Sequence, residues 1–205
     1  MRLGLPRSAP KWMTEPVVRP LASIGVTPNM LTVLGLVGNA VAAYFAAEGE
    51  FIWAGVLVLL ASALDMYDGA LARATGQATP FGAVFDATLD RISEALVLFG
   101  LLVYFSDRGG QTEELLVFVA VVGSILVSYV RARAEVIGLT LREGAFTRFE
   151  RVALMGAGLI VAGIADDDGI ITYMLWILAA LASFTALQRL AMVWLKSRDG
   201  APPAE

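Results

Sequence analysis

Residues 51–105 read FIWAGVLVLLASALDMYDGALARATGQATPFGAVFDATLDRISEALVLFGLLVYF. Two apolar runs, about 51–74 and 81–105, flank the break Thr75-Gly76-Gln77-Ala78-Thr79-Pro80. A helix needs roughly 20 mostly apolar residues to cross a bilayer, and each run has them. The Gly and Pro of the break are turn formers, so the runs are predicted to be membrane helices lying as antiparallel neighbours. Their ends at the break carry Asp65 and Asp68 on one side and Asp86, Asp90 and Glu94 on the other. Ionisable groups inside membrane segments are costly and mark a site.

Working outward, four more apolar runs appear, at about 30–47, 114–136, 149–165 and 170–195. The whole chain of 205 residues is 58% hydrophobic and only 17% charged, with a mean hydropathy of +0.71. Soluble domains carry about 25% charged residues. The expectation is therefore an all-α integral membrane protein with six transmembrane helices in one domain. Residues 1–29 are expected to form a cytoplasmic arm, with a short amphipathic juxtamembrane helix from Pro10 to Ile24. Residues 30–195 form the transmembrane domain and 196–205 a cytoplasmic tail.

Basic residues set the orientation. With both termini in the cytoplasm, the outer breaks are 48–50, 106–113 and 166–168. Of the 15 Lys and Arg, only Arg108 falls there, whereas Glu48, Glu50, Asp107, Glu113, Asp166, Asp167 and Asp168 all do. Trp53, Trp176, Trp194 and Tyr104 suit anchoring at the membrane interfaces.

The chain has no Cys and no His. Disulfides, thiolate sites and imidazole chemistry are excluded, so acid–base or metal chemistry must run on carboxylates. Asp65 and Asp68 are i, i+3 and Asp86 and Asp90 are i, i+4, each pair on one helical face. Four such charges brought together would repel one another unless cations neutralised them, and oxygen-only ligands select Mg²⁺ or Mn²⁺. Gly69, Ala70, Ala72, Gly82, Ala83 and Ala87 leave room for a ligand. Arg73, beside such a cluster, suits a phosphate. Four carboxylates on matched faces outweigh the bland alternative of helix-end residues reaching for the interface.

The pattern Asp65-x2-Asp68-Gly69-x2-Ala72-Arg73-x8-Gly82-x3-Asp86-x3-Asp90 resembles the signature of the CDP-alcohol phosphotransferases, with every fixed position present. Pro28-Asn29-Met30-Leu31-Thr32 is similar to that family's usual approach to the first span. The resemblance implies six helices, a homodimer, a site open to the cytoplasm, and transfer of a substituted phosphoryl group from a CDP-linked donor to an alcohol with release of CMP. Asp86-Ala87-Thr88-Leu89-Asp90-Arg91 and Ser128-Tyr129-Val130-Arg131-Ala132-Arg133-Ala134-Glu135 are similar to the bacterial branch that makes phosphatidylinositol phosphate. Arg148-Phe149-Glu150-Arg151 resembles its repeated acidic–basic pair, with Thr147 departing at the first acidic position.

The family resemblance implies Asp65, Asp68 and Asp86 as ligands of two ions, with Asp90 shared between the second ion and the role of base. With no His, Cys or nearby Lys, Asp90 is the best candidate to take the alcohol's proton. Donor contacts are expected from Gly69, Ala72, Arg73 and Gly82, and from Asn29 and Thr32; Asn29 equally fits an N-cap on the first span. An acceptor bearing a phosphate would need several arginines, and Arg131, Arg133, Arg148, Arg151 and Arg189 are the candidates. The bland alternative, positive-inside topology with contacts to lipid headgroups, accounts for Arg142 and Arg198.

The expected partners are CDP-diacylglycerol, a phosphorylated polyol such as inositol phosphate, membrane lipids and a second copy of the chain, with no nucleic acid. Phosphatidylglycerophosphate synthesis, with glycerol phosphate as acceptor, needs the same arginines and is the nearest rival. An intramembrane prenyltransferase is disfavoured by the Gly82-Asp86-Asp90 half of the pattern, and a divalent-cation transporter by Arg73 and the basic cluster.

Overall fold

The computed structural model describes residues 11–141 and 144–198. Arg2, Arg7, Arg142 and the end of the tail lie outside the described residues. Seven helices follow one another: α1 (Lys11–Ser23), α2 (Pro28–Ala47), α3 (Phe51–Thr75), α4 (Pro80–Ser106), α5 (Gln111–Val136), α6 (Arg148–Ala165) and α7 (Gly169–Arg198). No strand occurs among the described residues.

Local chemistry sets the boundaries. The Thr27 hydroxyl accepts the Met30 N–H at 3.3 Å, with Pro28 in the first turn. Thr27 is therefore the N-cap of α2, and Asn29 lies inside the helix rather than capping it. Thr79 repeats the device for α4, accepting the Gly82 N–H at 3.0 Å with Pro80 behind it. Such pairs satisfy orphan N–H groups and preset the first φ. At the end of α3, Gly76 takes a left-handed φ of +68° and returns its N–H to Ala72, the conformation that glycine adopts without a Cβ penalty.

The six long helices close into a ring in the order α2, α4, α5, α7, α6, α3. The short break between α3 and α4 does not make them neighbours: α2 packs on both, and they barely touch each other. Small residues explain this. Gly38 of α2 faces Ala61 of α3. A Cβ on Gly100 of α4 would fall on the Ala43 carbonyl of α2. With backbones this close, α2 wedges between α3 and α4 and their ends at the break stand apart.

One half of the ring is filled by apolar side chains, among them Phe51, Leu101, Phe105, Leu116, Leu159 and Leu175. Tyr104 is buried there at 6% exposure and donates to Asp168, so it is a core residue and not the expected interfacial anchor. Trp53, Trp176 and Trp194 do face outward. So do Leu60, Phe99, Phe118, Val161 and Phe184, an apolar exterior suited to lipid. Helices α2, α3, α5 and α7 are long and apolar enough to cross a membrane. The chain is thus an integral membrane protein. Helix α1 leans on α3, with Val18 buried against Leu31 and Leu71.

Candidate active site

The other half of the ring is polar. Asp65 is on α3, Asp90 on α4, and Arg148 opens α6. One guanidinium nitrogen, Arg148 Nη2, donates to Asp65 Oδ2 at 2.6 Å and forms an ion pair with Asp90 Oδ1 at 2.9 Å. The arginine therefore spans the gap that α2 opens between α3 and α4. Room for the Asp65 carboxylate comes from Gly35 of α2, whose missing Cβ would collide with it.

Asp68 is buried at 4% exposure and accepts the Thr32 hydroxyl of α2 at 2.7 Å. Thr32 also reaches the Pro28 carbonyl at 3.1 Å. Asp86 is half-buried one turn before Asp90, within Coulombic range of Asp65, Arg148 and Arg91. All four sequence-predicted aspartates thus face one region, and Asp90 feels the other three.

Two oxygens from different helices converge on one cationic nitrogen, and the surrounding donors are carboxylates without sulfur or imidazole. That donor chemistry fits a hard divalent cation. Among the described residues no three carboxylates are drawn into one ligand group. Arg148 occupies their meeting point.

The predicted donor residues border the same end. Asn29 Oδ1 stands 3.7 Å from where a Cβ on Gly82 would lie, so the starts of α2 and α4 meet over the glycine. Arg73 is exposed and folds back along Gly69, its Nη1 3.4 Å from the position of an added Cβ. Ala72 is half-buried beside it.

The five acceptor candidates part company. Arg151 is 2% exposed and grips Glu94 of α4 with two nitrogens, at 2.6 and 2.8 Å. Ser124 of α5 donates to the same carboxylate at 2.7 Å. This is a buried clasp across the ring. Arg189 of α7 is also buried and donates to the Val127 carbonyl of α5 at 2.8 Å. Arg131 is exposed and pairs with Glu135 of its own helix at 3.0 Å. Arg133 is exposed. Arg148 is held by the aspartates. Sequence reasoning missed Gly35 and the Glu94–Ser124 support of Arg151. The readable signal was register: Arg148 and Arg151 are three apart, Asp90 and Glu94 four apart, so the two pairs face each other as rungs.

Comparisons with known proteins bear on this geometry. Residues 25–195 match the family model described as CDP-alcohol phosphatidyltransferase. The phosphatidylinositol phosphate synthase of Corynebacterium glutamicum is 39% identical over 186 residues, 88% of this chain and 83% of that protein. The archaetidylinositol phosphate synthase of Pyrococcus horikoshii is 35% identical over 179 residues, 87% of this chain and 93% of that protein. The crystal structure of Mycobacterium tuberculosis phosphatidylinositol phosphate synthase with CDP-DAG bound superposes with a TM-score of 0.81 at 34% identity, covering 89% of this chain and 94% of that one. The same enzyme in complex with manganese and citrate gives 0.80, also at 34%, over 88% of each chain. The fold, the aspartate-lined end of the ring and these matches lead to one assignment: the chain belongs to the CDP-alcohol phosphatidyltransferase family.

Proposed function

We propose that this chain is a phosphatidylinositol phosphate synthase, transferring the phosphatidyl group of CDP-diacylglycerol to inositol phosphate and releasing CMP. The observation that carries the reading is the meeting of Asp65 and Asp90, from two helices of the signature, on one cationic nitrogen. The relatives' names and the CDP-DAG complex support it.

Asp65, Asp68 and Asp86 would hold two Mg²⁺ or Mn²⁺ ions, with Asp90 as a further ligand. When bound, the ions neutralise the donor diphosphate and steady the charge on departing CMP. Thr32 holds the Asp68 carboxylate in its rotamer. Gly69, Ala72 and Gly82 leave the donor space, while Arg73 and Asn29 contact its polar end. Asp90 takes the proton from the acceptor hydroxyl as its oxygen attacks the lipid-bearing phosphorus. Arg133, Arg148 and Arg189 gather the acceptor's phosphate, with Arg131 at the rim. The Glu94 clasp on Arg151 fixes where α6 begins, so Arg151 acts on the acceptor through position.

All six long helices would span the membrane. Helix α4 falls short on apolarity through Asp86, Asp90, Arg91 and Glu94, and α6 through Arg148, Glu150 and Arg151. Those charges face the ring interior or the break end, where a membrane protein accommodates them. Helix α1 lies along the inner surface, both termini face the cytoplasm, and the working unit is a homodimer built on the 30–195 domain.

Purified protein given CDP-diacylglycerol and inositol phosphate, glycerol phosphate or free inositol decides the acceptor. CMP release with phosphatidylinositol phosphate as product is expected. Turnover with glycerol phosphate alone would replace the reading with phosphatidylglycerophosphate synthesis.

A further inference from the structure

We propose that Arg148 is a tethered counter-ion that competes with a divalent cation for Asp65 and Asp90, and that cation loading releases it toward the acceptor's anion. The inference rests on the reading of Asp65 and Asp90 as metal ligands. It adds a competition within the chain and an order to the binding steps.

The arrangement of two neighbouring arginines carries it. Arg148 and Arg151 lie one turn apart on α6, and both cross the ring toward α4. Arg151 is locked: it is 2% exposed, grips one carboxylate with two nitrogens, and that carboxylate has a third partner in Ser124. Arg148 is poised. It spends a single nitrogen on two carboxylates, and its Nε is buried with no hydrogen-bond partner among the described residues. Its side chain keeps 30% exposure against 3% for Arg151, so a path to solvent is open.

A guanidinium and a divalent ion compete for the same carboxylate charge. Asp65 Oδ2 and Asp90 Oδ1 face Arg148 Nη2, and a divalent ion arriving at either competes with that guanidinium for the carboxylate's charge and is repelled by it at contact range. A fork-shaped guanidinium is adapted to bidentate carboxylate or phosphate. Against Asp65 and Asp90 it makes neither pairing. Once displaced, it stands at the start of α6 with its charge uncompensated, beside the basic residues that ring this end. An anionic acceptor then meets a free cation only after the metal has entered. A binding site closed by its own chain shows an apparent affinity lowered by the fraction of closed protein.

Two measurements in detergent test this on the full chain: Mn²⁺ affinity by titration, and thermal unfolding with EDTA or with Mn²⁺. Arg148→Gln removes the tethered charge. It is expected to bind Mn²⁺ about tenfold tighter than the wild type, the scale set by one competing charge-assisted contact. Its melting temperature is expected to fall in EDTA, where the carboxylates lose their counter-ion, and to recover in Mn²⁺. Arg148→Lys keeps the charge and loses the fork, and is expected to lie between the two in affinity. Unchanged or weaker Mn²⁺ binding by both variants, or an equal loss of melting temperature in EDTA and Mn²⁺, would overturn the proposal while leaving the metal reading intact. A wild type that binds no Mn²⁺ would overturn both.

Discussion

Asp90 occupies the position where charge, burial and reach coincide. It is one turn beyond Asp86 on α4, touches Arg148 at 2.9 Å, and faces the interior of the ring. In the proposed function a carboxylate placed there has the roles of ligand and base. Asp90→Asn keeps the shape and removes the basicity, so kcat is expected to fall by about 10²-fold or more, the usual cost of losing a general base. CDP-diacylglycerol binding, measured separately, should survive better. Near-normal kcat in Asp90→Asn would move the base elsewhere. Thr32 belongs to the same scale. Its hydroxyl is the side-chain donor to buried Asp68, and groups that orient a metal ligand are typically worth about 10–100-fold in metal affinity or activity. Thr32→Val should weaken Mn²⁺ binding within that range, and Thr32→Ser should restore it. A Thr32→Val protein with wild-type Mn²⁺ affinity would return Thr32 to an ordinary helix position.

Helices α4 and α6 are not neighbours in the ring, yet Arg151 and Glu94 join them through its interior. Removing one member of a buried ion pair strands the other, at a cost of about 3–5 kcal/mol. Glu94→Gln and Arg151→Met should each lower the melting temperature well below that of the double variant Glu94→Leu/Arg151→Met. Single variants as stable as wild type would show that the clasp contributes little. At this scale the sequence was legible where chemistry is local. Thr79-Pro80, Gly76 and the apolar runs marked helix ends that the structure reproduces within a few residues. The aspartates were legible because their spacing fixes their face. Packing was not. The short connection between α3 and α4 suggested neighbours, but Gly100 against Ala43 and Gly38 against Ala61 bring α2 between them, and glycines in an apolar run do not announce which helix they admit. Nor could Arg148 be assigned to Asp65 across 83 residues of sequence; five arginines near one end looked alike until burial separated Arg151 and Arg189 from the others.

The whole molecule is polarised along the ring axis. Its aspartate end carries nearly all the described arginines, and its other end carries Glu48, Glu50, Asp107, Glu113, Asp166, Asp167 and Asp168. Arg108 is the one basic residue of those acidic breaks, and it is occupied locally, its guanidinium 3.8 Å above the Tyr104 ring and donating to the Tyr104 carbonyl at 3.0 Å. Basic residues are retained on the cytoplasmic side during insertion, so the aspartate end should face the cytoplasm, where nucleotide-linked donors and phosphorylated acceptors are found. The sequence has no cysteine, which makes the test clean, because any single introduced thiol is the only one in the chain. Asp107→Cys and Gln111→Cys, exposed at the acidic end, should react with a membrane-impermeant maleimide in intact cells. Gln77→Cys and Ser197→Cys, exposed at the aspartate end, should react only after permeabilisation. The reverse pattern would place the site outside. Labelling of Asp107→Cys and Gln77→Cys from the same side would mean that α4 returns without crossing, because those residues bracket that helix alone. The four positions therefore test the orientation of the chain and the spanning of α4, which carries Asp86, Asp90, Arg91 and Glu94, in one experiment.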